Sequence, residues 1–546
     1  MILHADWTYL EQQFGCSLSD HFLMALRAFD NTRSVTPFLL ERNGQRFGLF
    51  LHVEKGNVAA AHLPPDIVPV FYQPYFNFDA QERPPLVHRS LEDAILAIAE
   101  GETALTVDRT LPIAVSRKLS AHFRLTLETG NETGAVTLRP VFRDDALSRL
   151  GRSRLDAAAI ARRLLARSRH RDAIAPYLEA SGNDRFQRLD MLLGEIGADA
   201  LIVSSIINVQ EVAAVPMRGK QRPLGAIYRP DGALYVIEAG VGPDGRTFAS
   251  LADALKAVAP QGSIAVEEDD LGAGLARELG LDARDTVPAD GMLRRWRDHG
   301  TLPDLPFYIV TTRASRHAME AALEFAERGV AAGDPITEMD AYAVYLQTLR
   351  AFFAEHAPGY RVARTLTNFH SGARTIFPSN AAPFALNRRS GMLKIDAGCL
   401  MLDTEGMMLG CSDIARTLCF DEAGQRYADL FARGVTEHLV PACRTGASGS
   451  EIHAAGVAAV MAEHDRLVFS PLYHDIGQPG SYERDVGHLL GRNNLAHLKF
   501  TPDETGVLRE GMIACCEYQW PGDGHAIAYE DTCLVTPSGG LNLTID

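Results

Sequence analysis

The sequence predicts an α+β protein in which a duplicated α/β segment precedes a domain built on a largely antiparallel sheet. Three observations carry this. A helix-strand-helix pattern occurs twice, hairpin-like strand pairs lie upstream of each copy, and the last 240 residues turn to long amphipathic helices followed by closely spaced strands. The chain has 546 residues, which at about 100 to 200 residues per domain suggests about three domains and room for a large core.

The repeat is legible at an offset of 160 residues (90 against 250). Ser90-Leu-Glu-Asp-Ala-Ile-Leu-Ala-Ile-Ala resembles Ser250-Leu-Ala-Asp-Ala-Leu-Lys-Ala-Val-Ala, and an apolar run ending in an acid follows each, at Asp108 and at Glu268. Ala114-Val-Ser-Arg117-Lys-Leu119 then lines up with Gly274-Leu-Ala-Arg277-Glu-Leu279. Two copies indicate a duplicated domain and not a solenoid. Asn43-Gly44 and Pro230-Asp231-Gly232 are the turn signals of the upstream hairpins. Between the copies, Arg143 to Arg171 carries nine arginines on an Ala/Leu-rich helical pattern, read as a solvated helix face. Boundaries are expected near 180 and near 305, where Pro303 and Pro306 interrupt the pattern, giving domains 1–180, 181–305 and 306–546. In the last domain Ala314 to Ala332 and Ile336 to Glu355 read as helices, the second opening on Thr337 and Asp340 in capping-box spacing.

Composition excludes several classes. With 53 basic against 69 acidic residues the net charge is −16, which repels a phosphate backbone, so nucleic acid is not an expected partner. No apolar run reaches the roughly 18 residues of a membrane span, and the first twenty residues lack the basic flank and apolar stretch of a signal peptide. A cytoplasmic protein without membrane contact is the expectation. Eight cysteines in a chain of this length do not make a disulfide framework, and none sits in a C-x-x-C pair. Cys399, Cys411, Cys515 and Cys516 are expected to pack as small hydrophobes.

Two hairpins in the last domain gather carboxylates. If Asp403 pairs with Gly406 across the turn Asp403-Thr-Glu-Gly406, partners sum to 809 and Asp396 faces Asp413. With Asp523-Gly524 as a two-residue type I′ turn, partners sum to 1047 and Glu517 faces Glu530. Opposed carboxylates have Cβ atoms about 4.5 to 5.5 Å apart and repel. A shared proton, a basic side chain or metal ions must compensate them, and two such pairs call for more charge than one proton supplies.

The motifs Ile-Asp396-Ala-Gly, Ser-Asp413-Ile-Ala-Arg416-Thr417, Val-Gly-His488-Leu-Leu-Gly, Gly511-Met-Ile-Ala-Cys-Cys-Glu517 and Tyr-Glu530-Asp-Thr occur in the order of the pita-bread metallopeptidase family. The chain resembles that family, which includes creatinase, the Xaa-Pro aminopeptidases and dipeptidases, and methionine aminopeptidase. The resemblance covers about residues 306 to 546, with a weaker likeness of 184 to 305 to a creatinase-type N-terminal domain and of the preceding segment to a second such copy. It implies a pita-bread domain with a curved, mostly antiparallel sheet. It also implies that Asp396, Asp413, His488, Glu517 and Glu530 hold two divalent ions, with manganese the expected metal and zinc, cobalt or iron the alternatives. Glu517 would be both ligand and base, and a homodimer is the implied assembly.

The departures from the family pattern fall on substrate-handling positions. The histidine expected four residues before the ligand histidine is Arg484, suited to gripping a substrate carboxylate. The one expected seven residues after it is Leu495, with His497 able to take that acid/base role across a two-residue insertion. The histidine expected on a strand leading into the site is missing from Ile376 to Asn380, and Tyr518 replaces the proline after Glu517. His525 is expected on the other sheet face, an odd number of residues from Glu530. The function expected is therefore a dimetal hydrolase cleaving a C–N bond of a small molecule or short peptide. The alternatives are a genuine Xaa-Pro peptidase and a non-catalytic binding protein on a peptidase scaffold.

Overall fold

A computed structural model describes residues 1–5, 37–51, 60–61, 63–72, 87–130, 132–179, 185–213, 223–259, 261–298, 302–376, 381–462, 485–492, 498–522 and 525–545. The chain divides into two compact units. One comprises Met1–Arg143, Asp190–Ala214 and Gly219–Asp290, and the other contains Asp144–Leu189 and Gly291–Asp546.

The first unit holds two seven-stranded sheets. The strands of the first are β1 (Ile2–His4), β2 (Phe38–Arg42), β3 (Gln45–Leu51), β4 (Ile67–Tyr72), β5 (Val87–His88), β6 (Ala104–Val107) and β7 (Arg124–Leu127), in the order 5-4-3-2-1-6-7. Those of the second are β8 (Val136–Pro140), β9 (Ala200–Val203), β10 (Gly225–Tyr228), β11 (Leu234–Ala239), β12 (Arg246–Phe248), β13 (Ile264–Val266) and β14 (Thr286–Pro288), in the order 12-8-11-10-9-13-14. The matching cores β3-β2-β1-β6-β7 and β11-β10-β9-β13-β14 share their strand directions. The second sheet takes in β8, which lies ahead of the boundary expected near 180, because Val136–Pro140 pairs with β11 and so fills the place that β4 fills in the first.

The repeat reaches the level of single hydrogen bonds. Ser90 Oγ accepts from Asp93 N and Ser250 Oγ accepts from Asp253 N, so the helices Leu91–Ala99 and Leu251–Val258 start on the same cap. The two copies touch through equivalent residues: Pro112 bridges Gly272, Ile113 N donates to Leu271 O, and Ala273 N donates to Leu111 O. The approach is close enough that a Cβ on Gly272 would stand 2.7 Å from Arg109 O, which requires glycine there. Arg117–Glu268 and Arg109–Glu278 ion pairs flank the contact.

In the second unit the helix Leu305–Ala332 begins earlier than the apolar periodicity suggested, since Pro306 falls in its first turn, where proline is tolerated. Glu338–His356 carries the expected capping box between Thr337 and Asp340. The arginine-rich segment forms Arg143–Leu164 and Arg171–Leu178, and it is not wholly solvated. Arg154 is buried against Asp304, which also takes Arg492.

The sheet of this unit is antiparallel throughout its described pairings. Its strands are β15 (Arg361–Ser371), β16 (Met392–Leu402), β17 (Met408–Cys411), β18 (Ile414–Cys419), β19 (Gly487–Leu489), β20 (Ile513–Gly522), β21 (His525–Thr536) and β22 (Gly539–Asn542). The order is 15-16-18-21-20-19, with β17 on β16 and β22 on β21. One face packs a core that includes Phe431, Leu439, Ile452, Tyr518 and Trp520. The other face carries the polar residues described next.

Candidate metal centre

Strand alternation places residues of like parity on one face, and the register lines them up across the sheet. Asp396 on β16 pairs with Ala415 on β18, Ala415 with Glu530 on β21, and Glu530 with Glu517 on β20. The expected facing of Glu517 and Glu530 is therefore present. That of Asp396 and Asp413 is not, because the first hairpin pairs two residues out of the expected register. A second row, one step along the strands, runs from Asp413 through Thr532 and Cys515 to His488, which pairs with Cys515. Thr532 Oγ1 donates to Asp413 O at 2.8 Å and ties the two sides of that row together.

The five expected ligand residues converge. His488 Nε2 lies 3.7 Å from Asp413 Oδ2 and 3.8 Å from Glu517 Oε1. Donor atoms of Asp413, His488, Cys515 and Glu530 all lie within 4.8 Å of one another. His488 Nδ1 is 2.9 Å from Leu489 O, a carbonyl that only accepts, so Nδ1 carries the proton and Nε2 turns its lone pair toward the carboxylates. Burial, and after it the charges of Asp485 and Asp396, pushes Glu517 up to about 8. Burial and the neighbouring Asp413, Glu517 and Asp396 hold Glu530 well above the ordinary carboxylate range, while burial lowers His488.

Both carboxylate oxygens of Glu530 are buried without a hydrogen-bond partner among the described residues. A buried acid with no donors is costly unless something cationic compensates it. Four carboxylates and one imidazole gathered on one sheet face, with both Glu530 oxygens lacking a hydrogen-bond partner among the described residues, fit a pair of divalent ions.

Three residues beside this set were not singled out by sequence. Asn368 on β15 donates from Nδ2 to Asp396 Oδ2 at 2.9 Å, and Gln519 Nε2 donates to Asp396 Oδ2 at 2.9 Å and to Glu517 Oε2 at 2.8 Å. Lys394 Nζ lies 3.5 Å from Gln519 Oε1. The signal was available, since a residue two positions from a strand ligand shares its face: Lys394 precedes Asp396 by two and Gln519 follows Glu517 by two. The strand leading into the site is β15, and it places the buried His370 opposite Lys394; of the stretch Ile376 to Asn380, residues 377–380 lie outside the described residues.

Tyr518 is no substrate group. Its odd spacing from Glu517 turns it to the core, where it stacks on Phe431 and donates to Gly456 O at 2.7 Å. Cys399, Cys411 and Cys516 are buried away from the ligand rows as expected, while Cys515 sits among the ligands, and burial raises its thiol. Arg484 and His497 lie outside the described residues, as does the side chain of His525.

The antiparallel sheet with its helices, and a donor set of this kind on one face, fit the architecture of a pita-bread metal-dependent hydrolase. Residues 310–537 match the model of metallopeptidase family M24, so this domain is similar to that family. No curated protein matches its sequence significantly. Among solved structures, an X-prolyl aminopeptidase from Caenorhabditis elegans, described as a cytosolic enzyme with a di-nuclear active site, is similar at TM-score 0.57 and 11% identity. That likeness covers 96% of this chain and 83% of that one. Prolidases from Pyrococcus horikoshii and Thermococcus sibiricus each give a TM-score of 0.50, at 18% and 14% identity, over 66% and 67% of this chain and 98% of theirs. At such identities the likeness is one of fold. Among the described residues no helix is long and apolar enough to cross a membrane.

Proposed function

We propose that Asp396, Asp413, His488, Glu517 and Glu530 hold two divalent ions, manganese first among the candidates, and that the centre hydrolyses a C–N bond in a short peptide or small metabolite. The observation that carries this reading is the Glu530 carboxylate, buried with neither oxygen satisfied among the described residues and within 4.8 Å of donor atoms of Asp413 and His488. When bound, the ions supply Lewis acidity, lowering the pKa of water and polarising the scissile carbonyl. Glu517 would accept the water proton, and Gln519, donating to both carboxylates, holds it beside Asp396. Asn368 and Gln519 orient Asp396. From the sequence motifs, Arg484 is assigned to gripping substrate and His497 to acid/base work.

The test is elemental analysis followed by a screen of Xaa-Pro peptides beside small amides and guanidino compounds. Close to two divalent ions per chain and turnover of one of these classes are expected, and a metal-free protein as isolated and after loading would overturn the reading. Efficient cleavage of Xaa-Pro oligopeptides would return the protein to the activity named for its structural neighbours. We further propose a cytoplasmic homodimer, and light scattering at micromolar concentration that reports a monomer would refute the assembly.

A further inference from the structure

Three thiols meet on the side of the sheet that packs the core. Cys516 on β20 pairs with Asp531 on β21, and Cys533 lies two residues further along β21, so the two cysteines are diagonal neighbours on one face. Cys516 is one residue from Glu517 and Cys533 three from Glu530, and these odd spacings turn both away from the carboxylates. Cys443 comes from a third segment, at the C-terminal cap of the short helix Val440–Ala442. Its Sγ lies 3.3 Å from Cys516 Sγ, and Cys516 Sγ lies 3.9 Å from Cys533 Sγ. All three sulfurs lie within 4.8 Å of one another, and all three residues are 0% exposed.

We propose that Cys443, Cys516 and Cys533 form a second metal site, independent of the dimetal reading, which takes one monovalent copper ion in three-coordinate sulfur ligation. Cysteines that serve only as small hydrophobes have no need to converge, whereas here three segments bring their sulfurs into one volume. Donor chemistry narrows the ion. A donor set of sulfur alone is soft and selects Cu⁺ or Zn²⁺ over the harder ions suited to carboxylates. Coordination number then separates these two. Zinc in a structural site takes four ligands, and among the described residues no fourth His, Cys, Asp or Glu joins this group. Burial of all three thiols keeps bulk water from filling the fourth place. A trigonal ion with bonds of about 2.3 Å holds its sulfurs about 4.0 Å apart, and edges of 3.3 Å, 3.9 Å and under 4.8 Å surround that spacing. Charge suits an apolar core, since a Cu⁺ that displaces one thiol proton leaves the cluster neutral. The backbone sets the three sulfurs in place. Thr445 N donates to Thr536 O at 3.0 Å and Arg444 bridges Thr536, which fastens the Cys443 segment to the strand of Cys533. A Cβ on Gly540 would stand 2.5 Å from Val440 O and 2.8 Å from Cys533 Sγ, so the strand β22 closes on the cluster only as glycine.

The experiment titrates the reduced full chain with Cu⁺ under anaerobic conditions, against bicinchoninate as the competing chelator. One ion per chain is expected, with three sulfur neighbours by X-ray absorption and a raised melting temperature. Cys443→Ala, Cys516→Ala and Cys533→Ala should each weaken binding at least a hundredfold. Cys419→Ala, which removes a buried thiol outside the cluster, and Cys515→Ala, which removes the thiol beside the carboxylates, should leave it unchanged. If an alanine variant does not fold, Cys443→Ser keeps the shape with a hard oxygen donor and should show the same loss. A wild type that takes no Cu⁺ from the chelator, copper with nitrogen or oxygen neighbours, or full binding in the Cys443 variants overturns the site. Binding lost only in Cys515→Ala would place the ion on the carboxylate face and overturn it equally.

Discussion

The two hairpins that carry the carboxylates make the same bid for a metal and reach it differently. In the second, Gly522 pairs with His525 across a two-residue Asp-Gly loop, and the register runs without interruption to Glu517 opposite Glu530. In the first, Asp403 Oδ1 accepts from the backbone of Glu405 and Met407, and Asp403 N bonds Met407 O, so the loop is one residue longer than a four-residue turn. A bulge follows at once, where Met401 faces Gly410 but Leu402 faces Met408. Together these move the pairing by two, and Asp396 lands opposite Ala415. An Asp-Gly pair in a two-residue loop dictates register because only the mirror-image turns match strand twist. An aspartate ahead of a longer loop caps its own turn and absorbs extra residues.

The consequence is that the glutamates are forced together while the aspartates are spread over two rows. Alanine at Glu530 or Asp413 should have the largest effect, removing most of the bound metal and with it turnover, since each deletes a carboxylate from the cluster around His488. Elemental analysis of Asp413→Ala showing full occupancy would refute the assignment. Next in size, one residue inserted after Gly522 should disturb metal binding far more than one inserted between Thr404 and Glu405. A one-residue slip in the regular hairpin turns its side chains to the other face, whereas the first loop already accommodates irregularity. Equal losses in the two insertions would show that the register of the second hairpin is not fixed by its turn.

The legibility of the site followed the same division. Both copies of the duplicated segment, the capping box at Thr337 and the second hairpin were readable because each depends on contacts within a few residues. The strand β8 joining the second sheet from ahead of it was not, since nothing local to Val136–Pro140 says which edge it will find. Lys394 and Gln519 were overlooked for a different reason. A motif marks ligands, and these residues become visible only when the ligands' strand period is applied to their neighbours.

A third, smaller effect separates the two sides. Asp396 is held by Asn368 and Gln519, whereas Glu530 has no hydrogen-bond partner among the described residues. Supporting groups of this kind are typically worth about 10- to 100-fold in metal affinity. Asn368→Ala and Gln519→Ala should each weaken binding of one ion within that range and leave the other in place, as read by stepwise metal titration. Simultaneous loss of both ions would mean the two rows do not act as separate seats.

The smallest effect concerns the metal-free protein, where the opposed glutamates lack compensation. Burial and neighbouring carboxylates raise Glu517 to about 8 and Glu530 well above its usual value of 4.5. A group whose folded pKa is raised binds more protons folded than unfolded between those limits, so stability falls as pH rises through that window. With chelator present, the melting temperature should therefore drop between pH 5 and pH 8, a tenfold difference in proton affinity between the folded and unfolded chain being worth about 1.4 kcal/mol. Glu530→Gln removes one titrating group and its repulsion of Glu517, so it should flatten that slope and stabilise the metal-free protein at pH 8. Asp396→Asn, which relieves no directly opposed pair, should change the slope less. With both ions bound the sign reverses for the wild type, because ligands must be deprotonated to bind. A metal-free wild type that gains stability from pH 5 to pH 8 would mean that the two glutamates are not held against each other.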